Sequence, residues 1–119
     1  MKNKVKSVAM HEVRNTLPKI RRQVQIGGAT ILPTYHNGVV GVFISVPTSK
    51  SLFIQASEEV PITKFRESAT EYWERLQTEV ECIYLTNHSR KVMAFVSTKF
   101  IPDLKIELPT IKILDCGLS

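Results

Sequence analysis

Apolar positions in the first half of the chain first follow a helical spacing and then form two continuous runs typical of strands. Between residues 13 and 24 they fall at i, i+4, i+7 and i+11, which places them on one face of an α-helix. These positions are Val13, Leu17, Ile20 and Val24. A short extended segment, residues 6–10, precedes this helix. Two apolar runs, residues 29–35 and 39–46, follow it around His36-Asn37-Gly38, and Asn-Gly between apolar runs favours a β-hairpin.

The same pattern returns 52 residues later. Residues 8–54 align with residues 60–106 without a gap, and eleven aligned positions are identical. The identical pairs are Val8/Val60, Arg14/Arg66, Gln25/Gln77, Ile31/Ile83, Thr34/Thr86, His36/His88, Val40/Val92, Phe43/Phe95, Ser45/Ser97, Leu52/Leu104 and Ile54/Ile106. Because the apolar helix and hairpin positions also coincide, we interpret the chain as one βαββ unit present twice.

A unit of about 45 residues buries too little apolar surface to be stable alone, so the two copies are expected to pair their apolar faces. The predicted fold is α+β. Two tandem βαββ repeats would form an intramolecular pseudo-twofold dimer with a shared central sheet and helices packed on it. The first repeat is assigned to residues 1–58. The second, with a short C-terminal strand segment, is assigned to residues 59–119 of the same globular unit. A monomeric pseudo-dimer and a homodimer both remain open.

Local signals make further predictions about these elements. Pro18 conflicts with the first helix, because a proline in the helix interior removes a hydrogen bond and clashes with the preceding turn. A kink or a restart is therefore expected there, with Thr16 as a new N-cap, while Thr63 is a candidate N-cap for the second helix. Gly27-Gly28 is expected to end the first helix. Pro33 is expected to weaken the strand ladder locally, at an edge or a bulge.

Charge is unevenly distributed along a chain whose net charge is +5. Residues 1–58 carry eight Lys/Arg against two Glu, whereas residues 59–119 carry eight Lys/Arg against nine Asp/Glu. A cationic half attracts polyanions, among which nucleic acid is the commonest in a cell. Solubility alone is the alternative interpretation of this charge.

Other chemistry is not indicated. The sequence contains no phosphate-binding glycine loop, nucleophile motif or ligand spacing for a metal, so no enzymatic activity, cofactor or metal is expected. Cys82 and Cys116 are interpreted as reduced thiols. The longest apolar run, residues 39–46, is too short to span a bilayer, and no apolar signal core follows the basic start. We therefore expect a cytoplasmic protein with no membrane association.

Both copies resemble the Phd/YefM ("prevent-host-death") family of antitoxin repressors. The matching stretches are residues 8–17 with 30–45, and residues 60–69 with 82–97. The resemblance implies a dimer formed through the sheet, binding of a palindromic operator in double-stranded DNA through the front of the first helix, and neutralisation of a toxin by a C-terminal tail. Tyr35 and Asn87 stand where the family places a second DNA-contacting arginine. The residues after the second copy are apolar, unlike the family's long charged tail.

The candidate DNA contacts combine this resemblance with charge. Arg14 and Arg66 lie in the first turn of each predicted helix, where the helix dipole does not favour a cation, and they match the family's DNA-contacting arginine. The alternative is a pair of surface arginines inherited from the duplication. The full set of candidates is Arg14, Arg66, Lys19, Arg21, Arg22, His36, Asn37, His88 and Arg90. For the paired histidines, a phosphate contact and a plain turn residue both remain open.

The leading hypothesis is therefore a DNA-binding transcriptional regulator of antitoxin type, tied to a toxin–antitoxin or mobile-element operon. The alternative hypothesis is a protein-interaction module that holds a toxin or another protein partner and has weakened or lost DNA binding. The acidic second half and the residues at Tyr35 and Asn87 favour this alternative.

Overall fold

One mixed β-sheet organises the protein, in a computed structural model that describes residues 5–36, 38–104 and 112–113. Within these residues the strands are β1 (Val5–Ala9), β2 (Thr30–Tyr35), β3 (Gly38–Val39), β4 (Val42–Ile44), β5 (Ser57–Pro61), β6 (Cys82–Asn87), β7 (Arg90–Val96) and β8 (Lys112–Ile113). The helices are α1 (Met10–Gln25), α2 (Val46–Ser49), α3 (Ile62–Glu67), α4 (Ala69–Thr78) and α5 (Ile101–Leu104), and a 3-10 turn spans Thr98–Phe100. The predicted α+β class, with helices packed on a mixed sheet, is confirmed.

Residues 5–49 and residues 57–101 contain equivalent strands that lie 52 positions apart in the sequence. The bounds of β5 and β6 are those of β1 and β2 shifted by 52 residues, and each pair of strands is parallel. At the centre of the sheet β4 lies antiparallel to β7, with Phe43 opposite Phe95. The rings of these two residues stack with their centroids 4.6 Å apart. The sheet order is β5-β6-β7-β4-β2-β3-β8, and β1 pairs with the remaining side of β2.

Apolar side chains cover both faces of this sheet. The three longer helices pack on one face around Phe43, Phe65 and Phe95, all fully buried. The opposite face is covered by the short helical turns and by Leu52, which pack on side chains such as Val42 and Val96. Since both faces are buried, the central strands can be apolar at nearly every position.

Two predicted N-caps are wrong. The first helix does not restart at Thr16: α1 continues through Pro18, and the Thr16 hydroxyl donates to the Glu12 carbonyl at 2.8 Å. The break lies in the second helical stretch, at Ser68, which separates α3 from α4 with φ −138° and ψ 44°. Thr63 is not an N-cap either, because α3 already begins at Ile62.

The first helix ends as predicted. Gly28 adopts φ 68°, and its N–H donates to the Val24 carbonyl at 3.1 Å, while the Ala29 N–H donates to the Gln23 carbonyl at 3.0 Å. Such bonds satisfy carbonyls that the last helical turn leaves free.

The two hairpins differ in continuity. β7 is a single strand of seven residues, whereas the corresponding stretch of the first hairpin is divided into β3 and β4. Pro33 weakens the ladder on this side of β2 as predicted, because neither β3 nor β4 pairs with Leu32 or Pro33 between Ile31↔Phe43 and Thr34↔Val39. On its other side β2 is continuous, and Ser7 and Val8 of β1 pair with these two residues. The serine after each hairpin, Ser45 or Ser97, accepts a hydrogen bond from a backbone N–H of the following turn at 3.3 Å.

Some sequence predictions fall outside the described residues. These are the turn position of Asn37, the position of Ile106 and the thiol of Cys116. Of the predicted strands after Leu104, β8 is described and pairs in parallel with β3. None of the helices in the described part of the chain is long and apolar enough to cross a bilayer.

Candidate functional site

Arg14 and Arg66 lie side by side in the fold although they are 52 residues apart in sequence. The Arg66 Nε donates a hydrogen bond to the backbone carbonyl of Arg14 at 3.2 Å, and both side chains are exposed. This contact joins the last turn of α3 to the second turn of α1. The two repeated arginines therefore open onto one region of the surface. The prediction that both arginines lie in the first turn of their helices is wrong, because α1 begins at Met10 and α3 ends at Glu67.

The proline in α1 explains why Arg66 finds an acceptor there. In an α-helix the Arg14 carbonyl would accept from the N–H of residue 18, but Pro18 has no N–H. The Arg14 carbonyl is thus left free within α1, and the Arg66 guanidinium takes the vacant position. Arg66 consequently holds α3 against α1, and four of its five N–H donors remain for other partners.

A second cluster of basic residues forms between α1 and the tip of the β6–β7 hairpin. A cleft of about 630 Å³ is lined by Arg21, Gln25, Asn87, His88, Arg90, Lys91 and Val92. Arg21 is held by a hydrogen bond from its Nε to Gln25 Oε1 at 3.1 Å. His88 and Ser89 both have positive φ, 53° and 65°, so the chain reverses tightly and brings Arg90 next to α1.

Arg21 connects the two basic clusters. It also lines a smaller groove of about 110 Å³ between α1 and α3, together with Leu17, Pro18, Ile62, Thr63 and Arg66. We call the set of neighbouring residues Arg14, Arg66, Arg21, His88 and Arg90 the basic track. Lys91 contributes less to it, since its Nζ lies 3.8 Å from Glu59 and 4.3 Å from the centre of the Tyr84 ring.

The remaining candidates lie elsewhere. Lys19 and Arg22 are exposed on α1, on the side that faces away from its buried residues. His36 lies at the tip of the first hairpin, with its ring centre 4.1 Å from that of Tyr35. Asn37 lies outside the described residues. The structure thus brings five of the nine sequence candidates into the basic track. Lys19 and Arg22 lie on the outer side of the helix that carries two of these five, and His36 lies on the other hairpin.

The first hairpin faces a different environment from the second. Trp73 and Gln77 of α4 lie 52 residues after Arg21 and Gln25, and they pack over the β2–β3 hairpin. The Trp73 ring centre is 5.2 Å from that of Tyr35, and Gln77 Nε2 donates to the Val40 carbonyl at 3.0 Å. Trp73 is 8% exposed, and its Nε1 has no hydrogen-bond partner among the described residues. We call Trp73, Tyr35 and His36 the aromatic flank.

The two glutamines show a role that the sequence did not reveal. Gln25 and Gln77 are an identical pair, yet Gln77 donates to the Val40 carbonyl between β3 and β4, whereas Gln25 accepts from Arg21. The repeat alignment marks the position as shared, but it does not contain the contacts that separate the two roles.

The chemistry of the basic track is that of an anion-binding surface. Guanidinium groups present several N–H donors in a plane and match phosphate oxygens geometrically. Nothing in the described residues groups three or more metal-ligating side chains. Burial raises the pKa of the Cys82 thiol to about 12, against opposing contributions from Tyr84 and Lys91, so this thiol is protonated at neutral pH.

No family model, no curated protein and no solved structure matches this chain. The resemblance to the Phd/YefM family therefore stays a prediction from the residues quoted above.

Proposed function

We propose that this protein is a DNA-binding transcriptional regulator of the Phd/YefM type, in which two βαββ units on one chain act as a fused pseudo-dimer at an operator-like site. A link to a toxin–antitoxin or mobile-element operon is part of this proposal. The observation that carries it is the basic track, in which Arg21 lines both the cleft beside the second hairpin and the groove beside Arg66, so that basic residues from α1, α3 and the second hairpin lie next to one another.

The geometry of the track suits a phosphate backbone. Its side chains are exposed or half-buried, and no carboxylate among the described residues lies within ion-pair distance of its four arginines. When unpaired guanidinium groups contact DNA phosphates, they displace the counterions condensed on the DNA. Such binding is therefore strong at low salt and weak at high salt.

The strand register supports the pseudo-dimer part of the proposal. In β4 and β7, Val42 pairs with Val96, Phe43 with Phe95 and Ile44 with Ala94. Subtracting 52 from the β7 numbers gives 44, 43 and 42, so the pairing is that of a strand with its own twofold-related copy. Phe43 and Phe95 lie at the centre of this relation, as equivalent residues do at an isologous interface.

DNA binding is testable with two matched substitutions. Arg14→Ala and Lys50→Ala each remove one positive charge, but Lys50 lies after α2 on the opposite side of the sheet. In a gel-shift titration on the DNA preceding the coding sequence, Arg14→Ala should weaken binding by roughly tenfold and Lys50→Ala by less than about twofold. Absence of binding by the unmodified protein at low salt would refute the proposal.

A protein-interaction module is the second candidate function. The aromatic flank favours it, because Tyr35 is 45% exposed beside a buried tryptophan, and Tyr and Trp are frequent at the centre of protein interfaces. Recovery of a small toxin with the unmodified protein but not with Tyr35→Ala would support this function. Equal recovery with both proteins would exclude the aromatic flank as the binding surface.

A further inference from the structure

We infer that the protein contacts DNA on one flank only, through α1 and the second hairpin, and that its site is a single non-palindromic half-site. One flank is the surface formed by α1 and the second hairpin, and the other is the surface formed by α4 and the first hairpin. This inference rests on the proposed DNA-binding function and makes it more specific. The two repeated arginines lie together, so they do not distinguish the flanks. The residues on either side of them do.

Charge is reversed between the helices of the two flanks. Lys19 and Arg22 are exposed on α1, and their counterparts 52 residues later are Glu71 and Glu74, exposed on α4. Residues 10–25 carry four Lys/Arg against one Glu, whereas residues 62–77 carry three Lys/Arg against three Glu. A phosphate backbone is attracted to the first surface, and at the second the glutamates oppose it.

The clefts beneath the two hairpin tips differ in the same direction. In the cleft between α1 and the tip of the second hairpin, Arg21 and Arg90 face an open volume of about 630 Å³. Their counterparts are Trp73 and Gly38, and Trp73 packs against Tyr35 while Gln77 bonds the Val40 carbonyl. The equivalent cleft therefore loses both guanidinium groups and is occupied by side chains of the protein itself.

Two-flank and one-flank binding require different lengths of DNA. A twofold binder contacts half-sites about 10 bp apart, and so needs roughly 20 bp or more of duplex. A single flank needs only about one turn. The number of phosphates neutralised, which sets the salt dependence of binding, differs in the same way.

The experiment compares a duplex of roughly 24 bp, tiled from the DNA preceding the coding sequence, with its roughly 12-bp halves. One-flank binding predicts that one half retains affinity within about threefold and shows the same slope of log K against log salt concentration. Loss of more than about tenfold in affinity on both halves would overturn the inference. Hydroxyl-radical protection of two half-sites with equal strength would overturn it as well.

Two double variants serve as matched controls, since all four positions are exposed. Lys19→Glu with Arg22→Glu should weaken binding to both duplex lengths by about tenfold or more. Glu71→Lys with Glu74→Lys supplies the missing basic flank, so it should steepen the salt slope on the long duplex by up to about two phosphates and leave the binding half unchanged. A steeper slope on that half too would contradict the assignment of flanks.

Failure of DNA binding and failure of one-flank binding give different results in this experiment. If the unmodified protein binds no tiled duplex at low salt, the proposed function is wrong. If it binds the long duplex but neither half, DNA binding stands and the one-flank inference is wrong.

Discussion

The two hairpins begin from the same sequence pattern and reach different structures. In the second hairpin Leu85 pairs with Met93, and β7 remains one strand although the register shifts by one residue between Leu85 and Thr86. The equivalent residues of the first hairpin are Pro33 and Gly41, which do not pair, and the strand is divided into β3 and β4. The strand ladder of the first hairpin is thus interrupted around Pro33, which lacks an N–H, and Gly41, which lacks a side chain.

Glycine at position 41 is required by a neighbouring side chain. A Cβ at Gly41 would lie 2.3 Å from Phe95 Cε1 and 2.7 Å from Phe95 Cζ, far closer than van der Waals contact. Phe95 in turn stacks on Phe43 at the centre of the sheet. Because Gly41 of the first hairpin has no side chain, the Phe95 ring of the second hairpin has room at the centre of the sheet.

The largest expected effect follows from this contact. Gly41→Ala should destabilise the protein by about 2–3 kcal/mol, because the Phe95 ring is enclosed and cannot move away without disturbing its neighbours. Urea unfolding followed by circular dichroism measures this change in the free energy of unfolding.

A double variant separates the clash from other effects of alanine. Phe95→Leu removes the two ring atoms nearest position 41. Gly41→Ala should therefore cost less in the Phe95→Leu background than in the unmodified protein. Equal costs in both backgrounds would mean that the backbone at position 41, and not the Phe95 ring, requires glycine.

The start of the strand after each helix offers a second comparison. Thr30 begins β2 and Cys82 begins β6, and both side chains are buried. Only the cysteine titrates, and burial raises its pKa in the folded protein to about 12 from an ordinary value of 9.0. Below about pH 9 the thiol is protonated in both the folded and the unfolded chain, so its contribution to stability is fully present there.

Above pH 9 the unfolded chain releases this proton while the folded protein retains it. The free energy of unfolding should therefore fall by up to about 1.4 kcal/mol per pH unit as pH rises from 9 towards 12. Cys82→Thr, which restores the residue of the first unit, and Cys82→Ala should both lack this component. Unfolding curves at several pH values give the slopes, and identical slopes for all three proteins would show that Cys82 does not contribute.

Much of this architecture is predictable from the repeat and the apolar spacing. The helical spacing of apolar residues locates α1, and the 52-residue repeat locates the second helical stretch and the second hairpin, because these signals depend on short-range patterns in the sequence. The unbroken α1 was not predictable in this way. Its tolerance of Pro18 is accompanied by a hydrogen bond from Arg66, 52 residues away.

The candidate site follows the same division. Charge and the repeated arginines identify the residues of the basic track, but they do not show which of them meet. Arg21 of the first unit faces His88 and Arg90 of the second because α1 packs across the hairpin of the other unit. That pairing arises from tertiary packing. The aromatic flank is hidden for the same reason, since nothing in the sequence places Trp73 against Tyr35.

The contact between the two helices gives the third prediction. Arg66→Ala should lower the free energy of unfolding by about 0.5–1.5 kcal/mol, because the Arg14 carbonyl loses its donor. Pro18→Ala supplies a helical N–H to the same carbonyl. In that background Arg66→Ala should therefore cost less, and a double-mutant cycle with urea unfolding measures the difference. A coupling energy of zero would show that the hydrogen bond contributes nothing.

The smallest expected effect concerns an ion pair found in one unit only. Arg75 Nε lies 2.7 Å from Glu58 Oε1, and its Nη1 lies 3.0 Å from Glu79 Oε2; these contacts raise the pKa of Arg75. The counterparts of Arg75 and Glu58 in the first unit are Gln23 and Lys6, which cannot form an ion pair. Because Arg75 is solvent-accessible, Arg75→Gln should lower the melting temperature only slightly, and less at high salt than at low salt. A decrease in melting temperature as large as that caused by Gly41→Ala would contradict this expectation. It would mean that the ion pair of Arg75, and not the packing of Phe43 against Phe95, makes the second unit differ in stability from the first.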